Sequence, residues 1–391
     1  MLAGDDFFVS EAGFNTLSDP EQGSYLWRED PFLGVSVGDW FVPYQQVFYC
    51  NVAIEAMNNL NLQNNQVFRT LMGEALFHRA HAYFHLLQQF APAFRRDGGN
   101  SDLLGIVLKE NPDVNEPVSR SSLEKCYQKV IEDLKQAVEL LPDFQLPKTR
   151  PTKAAALGML ARTYMITFDF GKAALAAEEA LAIYPSRKDF NDLNLDVNFP
   201  FVRFGEETVF YSELISVRFT SSREVLVNND ITESYQPGDL RIKAFYDEMG
   251  PGKFYFIGKL TGNFASFGGL SVGELELIAA EGNARIGYEE KALEILNGFL
   301  VRRFNPDFFV SVEEAGQELL NSILTERRKE LIGRGLRWSD LRRLNQEQEF
   351  AKTIEKVFSG QVFRLEPDSK RYVFPIPDEE IRLTGIQQNP R

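Results

Sequence analysis

Residues 150–185 read RPTKAAALGMLARTYMITFDFGKAALAAEEALAIYP, and this stretch decides the fold. Leu157, Leu160, Ala161 and Tyr164 are followed by Ala173, Ala177, Ala180 and Pro185. The spacing matches a tetratricopeptide repeat of about 34 residues. Physically, that pattern is a pair of helices. Small residues allow close approach, large ones fill the spaces between, and the proline ends the second helix. A looser copy follows at Leu277, Ala280 and Ala284, then Ala292, Leu296 and Phe299. One such unit cannot bury its apolar face alone, so several stacked helices are expected. The fold class is therefore mostly α, an α-α superhelix of tetratricopeptide-like repeats.

Outward from there, helical periodicity covers 39–60 (Trp40, Tyr44, Val47, Met57) and 66–90 (Leu71, Ala75, Phe84, Leu87). Residues 121–141 carry an apolar stripe, a capping box at Ser121 and Glu124, and Pro142 as a stop. Residues 1–35 read as loop. Residues 190–270 break the helical pattern with short β-prone runs, Val209-Phe210-Tyr211, Val225-Leu226-Val227 and Phe254–Ile257, separated by glycine and proline signals. A charged helix follows at 320–345, then an extended end at 372–390. The chain is expected to be one domain, 1–391. Within it lie repeat helices at 36–189, a loop-rich insertion at 190–270, and further repeat helices with an extended tail at 271–391.

The composition excludes several classes of function. Net charge is −14, which repels phosphate backbones and argues against a nucleic-acid ligand. No run of about 18 apolar residues is present to cross a bilayer. Cys50 and Cys126 are too few for a disulfide framework or structural zinc, and Cys126 falls on the apolar stripe of its helix as a buried thiol. The start, Met1 to Phe8, carries neither a basic n-region nor an apolar h-region. That fits either a cytoplasmic start or the mature part of an exported chain.

No catalytic constellation is legible: no phosphate-cradling loop, no nucleophile elbow, no zinc-protease motif. All three histidines, His78, His81 and His85, lie on one helix, but 78 and 85 are about 10 Å apart along its axis. No metal and no cofactor are expected. In the Glu326–Arg343 run, Glu326, Glu330 and Asp340 stand at helical spacings from the arginines, which reads as ion-pair lacing rather than a basic patch.

Several motifs, in order, resemble the SusD/RagB family. Trp40, Tyr44, Val47 and Asn51 resemble its first helix. GEALFHRAHAYF at 73–84 is similar to its next, and RSSLEKCY at 120–127 and RPTKAAA at 150–156 follow. ELELIAAE at 274–281, ERRKEL at 326–331 with GLRWSDLRR at 335–343, then PIP at 375–377 and QNP at 388–390, complete the set. The sequence departs from the family at Arg334, where Glu is usual, and at Leu383-Thr384-Gly385, where Asn-Pro is usual. Its 190–270 insertion is short.

The resemblance implies a SusD-like fold and a non-catalytic outer-membrane lipoprotein, surface-exposed or facing the periplasm. Its lipid anchor would lie outside this chain. It would bind a nutrient, most simply a glycan such as starch, and deliver it to a SusC-like TonB-dependent transporter. The alternative is a helical-repeat scaffold for a protein or peptide. Glycan recognition needs flat rings for the apolar sugar face and amides, carboxylates or arginines for the hydroxyls. The candidate ligand residues on that chemistry are Trp27, Asp39 and Trp40 in the N-terminal segment. In the insertion they are Tyr211, Arg218, Asn228, Tyr235, Tyr255, Asn263 and Phe264.

Overall fold

A computed structural model describes residues 1–60 and 65–391. Its longer helices are α1 (Gly38–Asn59), α2 (Gln66–Phe90), α3 (Leu123–Leu140), α4 (Lys153–Ile166) and α5 (Phe170–Ile183). They continue with α6 (Val272–Arg285), α7 (Glu289–Leu300), α8 (Gly316–Glu330), α9 (Arg337–Leu344) and α10 (Asp378–Thr384). About 46% of the chain is helical, and the sheets among the described residues are five two-stranded antiparallel ribbons. None of the described helices is long and apolar enough to cross a membrane.

The chain divides into two compact units. The first comprises residues 1–17, 146–150 and 169–337, and the second comprises 18–145, 151–168 and 338–391. In the first unit α6 is the centre, with α5, α7 and α8 packed against it. Its small residues are the reason. A Cβ on Gly282 would stand 2.7 Å from the Phe170 carbonyl oxygen and 2.9 Å from the Ala174 methyl, so the glycine sets the α5–α6 spacing. Leu277, Ala280, Ala292, Leu296 and Phe299 share one buried cluster, so the looser sequence repeat is a true helix pair. In the second unit α1 packs on α2, α2 on α3, and α3 on α4. Every residue of α4 from Ala154 to Ile166 is buried, which is why that helix shows no polar face. The two halves of the stronger repeat thus find different neighbours, α4 on α3 and α5 on α6.

Local details correct the sequence reading. The cap of α3 is Ser122, whose hydroxyl accepts from the Lys125 amide at 3.3 Å, while Ser121 lies in the strand Arg120–Ser122. Residues 1–35, read as loop, hold the strand Phe7–Val9 and a helix at Asp19–Tyr25 closed by a Ser18–Glu21 capping box. The tail, read as extended, contains α10, ended by Gly385 at φ +69°. Before it stands a hairpin, Ile354–Phe358 with Gln361–Leu365, turning through Ser359 and Gly360 at φ +48° and +75°. Between 190 and 270 no described helix exceeds five residues, and the short strands fall on the β-prone runs.

The expected lacing of the Glu326–Arg343 run is in fact a set of buried tertiary ion pairs. Arg303 is fully buried and bridges Glu207 at 2.8 Å and Glu330 at 3.0 Å. Arg241 pairs with Asp239 at 2.6 Å and with Glu326 at 2.5 Å, while Arg337 and Arg328 hold Asp5 and Asp6 of the N-terminus. Glu326–Lys329 and Asp340–Arg343 are pairs of helical neighbours.

Candidate ligand-binding face

The N-terminal candidates are framework residues of the second unit. Trp27 is 1% exposed, and its ring lies under the Lys356 ammonium at 4.6 Å, which also covers Tyr25 at 3.9 Å. Trp40 is buried against Tyr44 and Phe90, and its indole N–H donates to Glu380 at 3.2 Å. Asp39 accepts from the Gln89 amide at 3.2 Å. The expectation of ligand-facing rings fails here because charged and polar groups distant in sequence close over both indoles.

Four of the insertion candidates are also committed within the first unit. Tyr211 is buried, donates to the Glu213 carboxylate, and lies under the Arg203 guanidinium at 4.9 Å. Burial, then the Glu213 contact, push its phenol up to about 12. Tyr255 is buried beside Arg223 at 5.6 Å. Tyr235 shares a 2.9 Å hydrogen bond with Tyr246, its ring flanked by the Lys329 and Arg241 cations. Asn228 donates to the Asp5 carbonyl at 2.6 Å and fixes the ribbon of Phe7–Val9 with Val225–Val227.

The remaining three are brought together at the surface. Phe264 is 60% exposed and meets Phe199 edge to face at 5.0 Å, with Asn263 exposed beside it. The turn that carries them is pinned from within. The Thr261 hydroxyl donates to the Ala265 carbonyl at 2.8 Å, and the Asn263 side chain accepts from the Ala265 amide at 2.7 Å. Gly262, at φ +70°, sits so near the 201–203 backbone that a Cβ would lie 3.1 Å from the Phe201 carbonyl oxygen and the Arg203 nitrogen. Lys259, 3% exposed, donates to the Phe264 carbonyl at 2.6 Å and the Thr220 carbonyl at 3.0 Å. It therefore ties the turn to the short helix Arg218–Ser221, whose Arg218 is exposed. Burial pushes the Lys259 ammonium down to about 8. The face thus combines a flat exposed ring with an amide, beside the short helix that carries the exposed Arg218.

Sequence reading missed Phe199, Arg203 and Lys259. The signal available was the aromatic-rich run Asn198–Phe204 inside the insertion. Nothing in the sequence marks Lys259, because its partners are backbone carbonyls.

The second unit holds other chemistry. Rings of His81 and His85 are 4.4 Å apart with their Nε2 atoms 3.2 Å from each other. Burial, with a smaller contribution from Arg162, holds His85 down to about 3, so it is neutral at physiological pH. Both cysteines are buried free thiols. Between α1 and α2 runs an open apolar groove of about 730 Å³, lined by Val42, Tyr49, Met57 and Leu71 among others. Phe41, Tyr49, Val52, Val67 and Leu71 are exposed on these two helices.

A family model described as starch-binding and associating with the outer membrane matches residues 18–165, and the SusD family model matches residues 272–391. SusD-like protein P2 of Formosa agariphila is 30% identical over 160 residues, which are 41% of this chain and 29% of that protein. The matched stretch therefore spans less than a third of that relative. A SusD superfamily protein of Bacteroides vulgatus superposes over 100% of this chain and 92% of its own, with a TM-score of 0.81 at 23% identity. A laminarin-binding SusD-like protein does so over 100% and 92%, with a TM-score of 0.70 at 18% identity. The motifs, the two helical stacks and the matched segments agree: the chain belongs to the SusD/RagB family.

Proposed function

We propose that this protein binds a glycan at the outer-membrane surface and hands it to a SusC-like TonB-dependent transporter, without catalysis. The observation that carries the binding reading is Phe264, an exposed ring on a turn whose conformation is held by Lys259, Thr261 and Gly262. Exposing a ring on a preordered turn serves no core, and preorganisation lowers the entropy lost when a sugar stacks on it. Asn263 and Arg218 supply donors for hydroxyls. Functional residues on loops fixed to a rigid frame are the usual arrangement in binding proteins. Family membership and the laminarin-binding neighbour support the ligand class. Within the single-domain plan, the ligand-bearing portion is then the 190–270 insertion, set between the repeat helices of 36–189 and 271–391.

The partner reading rests on the exposed apolar residues of α1 and α2, which stand in a patch of the kind that marks protein contacts. The tail at 372–390 is a poor docking arm, because Gln388 and Asn389 are engaged inside its own unit. Gln388 brackets Ile376 with two 2.8 Å hydrogen bonds, and Asn389 donates to the Phe90 and Phe374 carbonyls. Tyr49→Ser with Leu71→Ser should leave the fold intact and abolish co-purification of the transporter from native membranes. Undiminished recovery would place the interface elsewhere. Glycan binding is tested by titrating parent and Phe264→Ala with neutral oligosaccharides, laminari- and malto-series among them. Equal affinity for the two proteins would remove the Phe264 face from the site.

A further inference from the structure

The second unit contains a cavity of about 870 Å³ among residues 92–97, Arg342 of α9 and Gln346 just beyond it, and residues 367–373 and 389–390. That volume lies within the roughly 300–1,000 Å³ of small-molecule sites. Its charged lining is Arg95, Arg96, Arg342 and Lys370 against Asp97 and Asp368, four cations to two carboxylates in a chain of net charge −14.

The cations are not equally occupied. Arg95 is held by Asp97 at 2.9 and 3.0 Å, and Arg96 by Glu347 at 3.1 Å. Lys370 is exposed, and its ammonium has no carboxylate partner among the described residues. Arg342 is 4% exposed and meets only backbone oxygens, the carbonyls of Leu87, Gln88 and Ala91 where α2 ends. Its Nε is buried with no hydrogen-bond partner. Burial lowers this guanidinium to about 10, so it remains charged at neutral pH. A buried cation balanced only by carbonyl dipoles is stabilised when an anion enters. Tyr372, Val373, Pro92 and Pro390 add ring and aliphatic wall to the same cavity.

We propose that this cavity is a second saccharide subsite, selective for an anionic sugar unit whose carboxylate or sulfate meets Lys370 and the Arg95, Arg96 and Arg342 guanidinium groups. Guanidinium and ammonium donors satisfy oxyanions of both kinds, and the wall residues take the ring. The subsite lies in the other unit from Phe264 and does not depend on the neutral-glycan reading.

The test is titration calorimetry of the full chain with three probes: tetragalacturonate, a sulfated galacto-oligosaccharide and neutral laminaritetraose. At least one anionic probe should bind, and the binding should weaken several-fold when salt is raised. Lys370→Glu and Arg95→Glu should each weaken it about tenfold or more, a factor set by charge-assisted hydrogen bonds, with the melting curve unchanged. Phe264→Ala should bind the anionic probe as the parent does, which separates this result from failure of the neutral-glycan face. Carboxylate binding alone would identify a uronate, and sulfate binding alone a sulfated sugar. Absence of binding by both anionic probes, or affinities of both charge variants within twofold of the parent, would overturn the proposal.

Discussion

The segment from Trp27 to Trp40 and the turn from Thr261 to Ala265 look alike in sequence, aromatic rings set beside polar side chains, and the structure treats them in opposite ways. Trp27 is covered by Lys356 and Trp40 is hydrogen-bonded to Glu380, partners more than 300 residues away. Phe264 has Phe199 at its edge, and the polar groups of its turn satisfy one another. The difference shows that a ring is hidden when folding brings distant groups over it, whatever its own neighbours in the chain. Local hydrogen bonding can hold a turn firmly and still leave its ring open to solvent.

That contrast is most sharply broken at Trp27. Trp27→Ala should lower stability by about 3–5 kcal/mol, the range for emptying a large buried aromatic site. Urea denaturation followed by circular dichroism measures it. A loss below about 1 kcal/mol would mean that the indole is not a core group. Next in size is Lys356→Met, which removes the cation over Tyr25 and Trp27 and the 3.1 Å hydrogen bond to the Tyr25 carbonyl. A loss of about 1–3 kcal/mol is expected in the same assay. An unchanged midpoint would show that aliphatic cover alone hides the indole.

Phe264→Ala should do the reverse. Its stability should stay within about 0.5 kcal/mol of the parent, as for exposed substitutions. Neutral-glycan affinity should fall about tenfold, or 1.4 kcal/mol. Early melting of this variant would erase the distinction between the two regions. The smallest effect concerns pH. Lys259 is pushed from 10.5 down to about 8 in the folded chain, so between those values the unfolded chain binds more protons. Stability should then rise with pH across that window, and the rise should vanish in Lys259→Met. Parallel pH profiles for the two proteins would mean that the ammonium is not desolvated, and that the turn is held less firmly than its geometry suggests.

Much of the architecture was legible. Helices α1 to α7 follow the apolar periodicity to within a few residues, and the weaker repeat proved to be the helix pair with the shared core. The charged helix expected at 320–345 is instead two, α8 and α9, parted where Gly333 and Gly335 take φ +74°. The Ser122 cap and the Ser18–Glu21 box were misread or missed because several serines compete for one end, and backbone pairing chooses among them. Of the candidate ligand residues, Arg218, Asn263 and Phe264 form an exposed group. The others were not distinguishable from them, since exposure depends on partners brought in by folding.

Periodicity, small-residue spacing and proline stops are local properties, so the sequence by itself determined a mostly α repeat protein, the irregular insertion at 190–270 and the family motifs. Which α-helix each repeat half packs against was decided only by the tertiary structure. The same holds for the buried partners of Arg241, Arg303 and Arg342 and for the Thr261–Ala265 turn, which keeps the Phe264 ring in solvent. The reason is physical: burial and charge pairing are made by groups far apart in the chain, and neither composition nor spacing records which of many possible partners will arrive.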